Sequence, residues 1–238
     1  MRAMRTTAKS RVAVLASGGG SNLQALLDHF DALGAHASGE VALVASDRAG
    51  AGALRRADAR GVATAHLARP GDGTALLALL EERAIDIVVL AGYLKLVPQA
   101  VVRRFRGRML NVHPALLPSF GGPGMHGLRV HEAVLEAGAR VSGATVHFVS
   151  EEFDRGAIVA QWPVPVFEED GPEALAARVL RVEHLLLPRV VELVAADLLV
   201  LDDDDRVRGA FLTGVPGEAF TLCTGDTLAA DIDAALTR

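Results

Sequence analysis

The chain is 238 residues long, 50% hydrophobic and 22% charged, which supplies apolar surface for a sizeable core and excludes an intrinsically disordered chain. A formal net charge of −5 argues against a nucleic-acid or anionic-membrane surface, which would need clustered cations, so a small-molecule partner is expected. Cys223 is the single cysteine; this excludes an intrachain disulfide and a cysteine-rich metal site and fits a reducing cytoplasm.

Residues 1–10 read as a disordered start, because the apolar run that follows their basic residues is too short for a signal-peptide core. Four short runs rich in Val, Leu and Ile, at 12–16, 41–46, 62–66 and 85–91, have the continuous apolar character of strands buried on both faces. Stretches with helical spacing separate them, at 22–30, 49–60 and 74–83. Strands alternating with helices predict an α/β fold with a mostly parallel sheet covered on both faces. A short helix near 98–103 precedes a fifth run at 109–113. A loop rich in Gly and Pro covers 114–127, and a helix follows at 129–137.

The pattern then changes to shorter strands at 144–149, 158–162 and 164–167, which predict antiparallel additions in the C-terminal half. Pro172 suits the first position of a helix reaching about residue 194, which Pro188 should kink or divide. From residue 198 onward eight carboxylates face three arginines, a balance of −5 that equals that of the whole chain. The body, residues 11–200, is therefore near neutral, and 201–238 reads as an acidic extension. Asp202 to Asp205 are most simply a solvated turn between strands at 198–201 and 207–212.

Ser17-Gly18-Gly19-Gly20-Ser21-Asn22 follows the first strand and opens the first helix, the place where open α/β sheets bind ligands. Glycines allow close backbone approach, and the helix N–H groups point at an anion. Ser21 is placed to cap the helix and to offer its hydroxyl to a phosphate. The spacing is neither the dinucleotide fingerprint nor the nucleoside-triphosphate loop. A tight turn without a ligand is the other reading of the same residues.

Asn111 and His113 lie two residues apart at a predicted strand end, so their side chains share a face. Pro114 keeps His113 out of helical conformation. The pair either caps a loop or forms a site.

Taken in order, Gly20-Ser21-Asn22-Leu23-Gln24, Val89-Leu90-Ala91-Gly92-Tyr93, Asn111-Val112-His113-Pro114-Ala115-Leu116-Leu117-Pro118 and Gly143-Ala144-Thr145-Val146-His147-Phe148-Val149 resemble the folate-dependent formyltransferases, and among them the glycinamide ribonucleotide formyltransferase family. The resemblance covers about residues 11–200. It implies a doubly wound sheet and transfer of the formyl group of 10-formyltetrahydrofolate to glycinamide ribonucleotide in purine biosynthesis, with no metal. It implies catalytic roles for Asn111, His113 and Asp154, the last picked out from its neighbours Glu151 and Glu152 only by the family pattern. Gly20, Ser21, Asn22 and Glu183 would bind the acceptor, and Leu94, Lys95, Leu96 and Val97 the folate. His147 resembles a family histidine near the site, although a lone histidine on a strand is more often structural.

Leu180 stands where the family often carries a basic residue; Arg181 is next to it, and Arg69 is a weak substitute for a phosphate-binding arginine. The loop 120–127 is longer and richer in glycine than in familiar members and suits a lid.

Formyl transfer needs a neutral amine to attack the formyl carbon, a donor for the resulting oxyanion, and a proton relay. Asn111 is expected to donate, His113 to supply a proton, and Asp154 to set the charge state. Formyltetrahydrofolate hydrolysis and a non-catalytic folate- or nucleotide-binding module are the competing readings.

Overall fold

The computed structural model describes residues 8–209. Strands β1 (Ser10–Leu15), β2 (Gly39–Ser46), β3 (Ala63–His66), β4 (Ile87–Leu90) and β5 (Met109–His113) alternate with helices α1 (Ser21–Leu33), α2 (Gly52–Ala59), α3 (Gly73–Glu82) and α4 (Gln99–Arg104). After α5 (Leu128–Glu136) come β6 (Val141–Phe148), β7 (Ile158–Pro165), α6 (Pro172–Ala195) and a hairpin of β8 (Leu199–Leu201) and β9 (Val207–Gly209).

The seven-stranded sheet has the order β3-β2-β1-β4-β5-β6-β7. β1 to β5 pair in parallel, and β6 and β7 are added antiparallel. The chain leaves β1 toward β3 and returns on the other side to β4, so the order reverses beside β1, where ligand clefts of such sheets form.

β1 shows why both faces are covered. Val12 and Val14 belong to a core shared with α1, α5 and α6, whereas Ala13 and Leu15 pack with Leu76 and Leu80 of α3 and Val101 and Val102 of α4. All four β1 residues are fully buried, as a run without polar alternation requires. Each buried Val or Leu contributes on the order of 1.5–3 kcal/mol.

Three expectations change. The runs at 158–162 and 164–167 form one strand, β7, because Pro163 and Pro165 occupy an edge strand that has no ladder to complete on its outer side. Pro188 does not divide α6, which runs from Pro172 to Ala195. Packing of Leu186, Leu187, Val190 and Val191, all fully buried, holds the turn together, and Arg189 Nη1 donates to the Leu185 carbonyl at 3.2 Å. Ser21 does not cap α1: the cap position is Gly20, with φ 78°, and makes no side-chain bond. A Cβ on Gly20 would meet Ala53 Cα at 2.7 Å, so close packing of the loop on α2 selects glycine there.

Residues 8–10 of the expected disordered start are described, with Ser10 already in β1, and residues 1–7 lie outside the described residues. So does the tail beyond 209. The Asp202–Asp205 turn joins β8 to β9; Asp202 accepts from Arg208 Nε and the Arg206 N–H, each at 2.8 Å.

The segment after β6 folds back tightly. Phe148 N–H donates to the Ala157 carbonyl at 2.9 Å, and a Cβ on Gly156 would sit 1.7 Å from the Phe148 oxygen. Gly156→Ala must therefore push the 150–157 segment off the strand, a steric cost of about 1–3 kcal/mol. A urea titration should show a lower midpoint with an unchanged slope; an unchanged midpoint would contradict the close approach.

Candidate active site

A cleft of about 690 Å³ opens alongside the carboxyl ends of β4 and β5, under α6 and the 122–128 segment. It brings together Asn111, His113 and Asp154, the four residues Leu94, Lys95, Leu96 and Val97, and both Asn22 and Glu183. Gly20 and Ser21 do not line it; the glycine loop reaches the cleft through Asn22.

Asn111 and His113 project from β5 on one face as the two-residue spacing requires. Asp154 arrives from the loop between β6 and β7 with φ 54°, a left-handed conformation that aspartate tolerates better than most residues. Asn111 Nδ2 donates to Asp154 Oδ1 at 3.2 Å, and the Gly122 N–H donates to Asp154 Oδ2 at 2.9 Å. His113 Nδ1 lies 3.5 Å from Asp154 Oδ2. His113 Nε2 is 2.8 Å from the Phe120 carbonyl. A carbonyl can only accept, so Nε2 carries a hydrogen and Nδ1 is the nitrogen free to gain or lose one.

The charges follow from the surroundings. Burial pulls the His113 imidazolium below its ordinary range, against the opposing pull of Asp154 and the Phe120 carbonyl. Burial pushes the Asp154 carboxyl up, but His147 and His113, whenever they hold a proton toward it, and the Gly122 N–H outweigh burial and leave the acid below its usual range. Resting Asp154 is thus a carboxylate next to a largely neutral His113.

Glu183 behaves in the opposite way. It is buried on α6 and accepts from Asn22 Nδ2 at 2.6 Å. Burial raises its pKa to about 7, and the single bond from Asn22 only partly counters this.

Reading the sequence alone undervalued three features. His147 is 1% exposed and stands opposite Asn111 across β5 and β6, with Nε2 3.0 Å from Asn111 Nδ2. His131 lines the cleft at 3% exposure, its pKa lowered to about 4 by burial and then by His113. Tyr93 also lines the cleft, with burial and then Asp47 pushing its hydroxyl up to about 12.

The suggested cationic substitutes do not reach the cleft. Arg69 is exposed and pairs with Asp72 at 3.2 Å, and Arg181 is exposed, while Leu180 lines the wall. Arg56 is a cation beside the glycine loop, donating from Nε to the Gly19 carbonyl at 2.8 Å. Among the described residues no group of His, Cys, Asp and Glu could hold a metal ion, and no helix is long and apolar enough to cross a membrane.

This sheet order, with an amide, an imidazole and a carboxylate converging beside β5, defines a class: the chain belongs to the formyl transferase family, whose model matches residues 10–191. Within the family it is 41% identical over 203 residues to the chloroplastic phosphoribosylglycinamide formyltransferase of Arabidopsis thaliana, covering 82% of this chain and 69% of that protein. The crystal structure of phosphoribosylglycinamide formyltransferase from Anaplasma phagocytophilum matches with a TM-score of 0.78 and 37% identity, over 90% of this chain and 98% of that one. A formyltetrahydrofolate deformylase from Pseudomonas syringae pv. tomato matches with a TM-score of 0.73 and 25% identity, over 84% of this chain and 65% of that one.

Glu183 gives a pH prediction with a definite sign. The unfolded chain releases this proton near 4.5 and the folded protein near 7. Between those values the folded state binds more protons, so the residue's contribution to stability falls as pH rises through that window. Above it the buried charge costs up to roughly 3 kcal/mol. Glu183→Gln keeps the acceptor for Asn22 and removes the titration. The stability difference between variant and parent, measured by urea unfolding, should grow in favour of the variant from pH 4.5 to 7; a constant difference would show that Glu183 is not held neutral.

Proposed function

We propose that the protein transfers the formyl group of 10-formyltetrahydrofolate to the amine of glycinamide ribonucleotide, giving formylglycinamide ribonucleotide in purine biosynthesis. The observation that carries this reading is the convergence of Asn111, His113 and Asp154 at one end of a cleft whose other parts suit the two substrates. Asn22 and Glu183 offer polar groups to the acceptor, next to the anion-favouring N-terminus of α1. Leu94, Leu96 and Val97 give an apolar wall of the kind a flat pterin ring requires, and Lys95 is exposed at its edge. Gly20 and Ser21 contribute from behind Asn22 by fixing the start of the helix. A cytoplasmic location is part of the reading, supported by the single cysteine.

The neutral amine attacks the formyl carbon, and the carbonyl oxygen becomes an oxyanion. Asn111 donates an N–H to that oxygen. The amine nitrogen, positively charged once bonded, loses a proton, and the folate N10 takes one up as its bond to carbon breaks. His113 Nδ1 and Asp154 lie on this route, with the carboxylate stabilising the imidazolium whenever Nδ1 holds the proton. Asp154 is ionised at rest and His113 largely neutral, so the pair starts ready to accept.

The likeness to a deformylase favours one competing reaction, in which water replaces the amine. The Asn22–Glu183 pair on the cleft wall favours the nucleotide acceptor instead. Supplying 10-formyltetrahydrofolate with and without glycinamide ribonucleotide separates them: turnover should depend on the nucleotide, and deformylation at the same rate without it would overturn the transferase reading. Asn111→Ala should lower kcat by about 10²–10³, the usual cost of one oxyanion donor. Near-normal kcat in a folded variant would remove Asn111 from the proposed role.

A further inference from the structure

The three residues used above leave two buried imidazoles of the cleft, His131 and His147, without a task, and His147 is the one bonded to Asn111. His147 Nδ1 lies 2.8 Å from the Phe148 carbonyl, which can only accept, so Nδ1 carries a hydrogen. In the neutral ring Nε2 then presents a lone pair. Asn111 Nδ2, 3.0 Å away, has only hydrogens to offer and donates to it. Its second hydrogen goes to Asp154 Oδ1 at 3.2 Å. Both Asn111 hydrogens are thus engaged, each by a different acceptor.

This arrangement fixes the amide. Turned over, Asn111 would aim its oxygen at the Nε2 lone pair and at the Asp154 carboxylate, two repulsions in a site where His147 is 1% exposed and little water screens them. The two acceptors differ in rigidity. His147 is locked within β6, in register with Asn111 and tied to Phe148, whereas Asp154 comes from a loop.

We propose that His147 is a positioning residue: its Nε2 lone pair holds one Asn111 N–H, so that the amide keeps its orientation while the other N–H moves from Asp154 to the formyl oxygen. The inference rests on the reading of Asn111 as the oxyanion donor. His147 makes no bond to substrate in this scheme. It acts only through Asn111, and its effect belongs to the transition state.

Two substitutions separate the ring nitrogens. His147→Gln can place an acceptor near the Nε2 position, and His147→Asn retains a polar group near Nδ1 alone. Formyl transfer from 10-formyltetrahydrofolate to glycinamide ribonucleotide is measured for both in the full chain. His147→Asn should lower kcat about 10–100-fold, as loss of orientation rather than of the donor, with both KM values within about threefold. His147→Gln should restore kcat to within about fivefold of the parent. In an Asn111→Ala background His147→Asn should cost less than about twofold more, because the group it orients is gone.

An unchanged kcat in a folded His147→Asn protein overturns the proposal, and so does a Gln variant as poor as Asn, or losses that multiply in the double variant. Failure of the underlying reading looks different: Asn111→Ala would itself keep its kcat, and the proposal would fall with it. A further measurement needs no variant to fold. The ring ¹⁵N shifts of His147 in the parent protein should report hydrogen on Nδ1 and a lone pair on Nε2; the opposite tautomer overturns the assignment.

Discussion

A carboxylate with a side chain only 9% exposed keeps its charge only where donors and nearby positive charge replace the water it has lost. Asp154 receives those donors from separate pieces of the chain. Asn111 supplies one from β5 and the Gly122 N–H another from the glycine-rich loop, while His113 and His147 stand 3.5 Å and 3.6 Å away. The carboxylate therefore ties the central sheet, the first antiparallel addition and two loops to one point. Phe120 and Asp154 both take left-handed backbone conformations to reach it, each costing on the order of 1–3 kcal/mol for a residue other than glycine. The charged hydrogen bonds offset that cost, which makes the local strain part of the site's construction.

The change from parallel to antiparallel pairing at β5 is what makes this possible. β6, reached through α5, pairs antiparallel with β5 and sets His147 directly opposite Asn111 and Thr145 opposite His113. Thr145 Oγ1 donates to the Ala115 carbonyl at 2.6 Å and accepts the Leu117 N–H at 3.1 Å. The same strand thus anchors the start of the loop whose later residues, Phe120 and Gly122, hold His113 and Asp154. The register shift between Val146 and His147 in the β6–β7 pairing falls next to the site, where bulges commonly re-aim side chains.

The parallel core was legible because β4 and residues 12–15 of β1 bury every side chain and so appear as unbroken apolar runs, and the Asn111–His113 face was legible from the period of two. Asp154 was not legible from the residues themselves. Its loop turns back through contacts between Phe148, Gly156 and Ala157, and nothing local distinguishes it from Glu151, which pairs with Arg103 at 2.6 Å on the surface. Only the family pattern picked it out. The single strand β7 was hidden by Pro163 and Pro165, which interrupt an alternating pattern but are tolerated on an edge. The value of His147 was hidden for another reason: strand pairing is non-local, so its register opposite Asn111 has no signature in its own neighbourhood.

Of the acids that line the cleft, Asp154 and Glu183 are the two drawn in from solvent, and their environments push them in opposite directions. Asp154 has several compensating groups and stays charged; Glu183 has one neutral amide and holds its proton up to about pH 7. A fully ionised Glu183 beside the start of α1 would neutralise the positive end of the helix and, in the proposed reading, repel an anionic substrate. Held neutral, it leaves Asp154 as the buried negative charge of the cleft, next to the imidazole of His113. Burial with a single amide sets the charge state of Glu183 and compensating donors set that of Asp154, so in the proposed reading one end of the cleft takes an anion and the other carries proton transfer, with Asn22 bonded to Glu183 at the first and Asn111 bonded to Asp154 at the second.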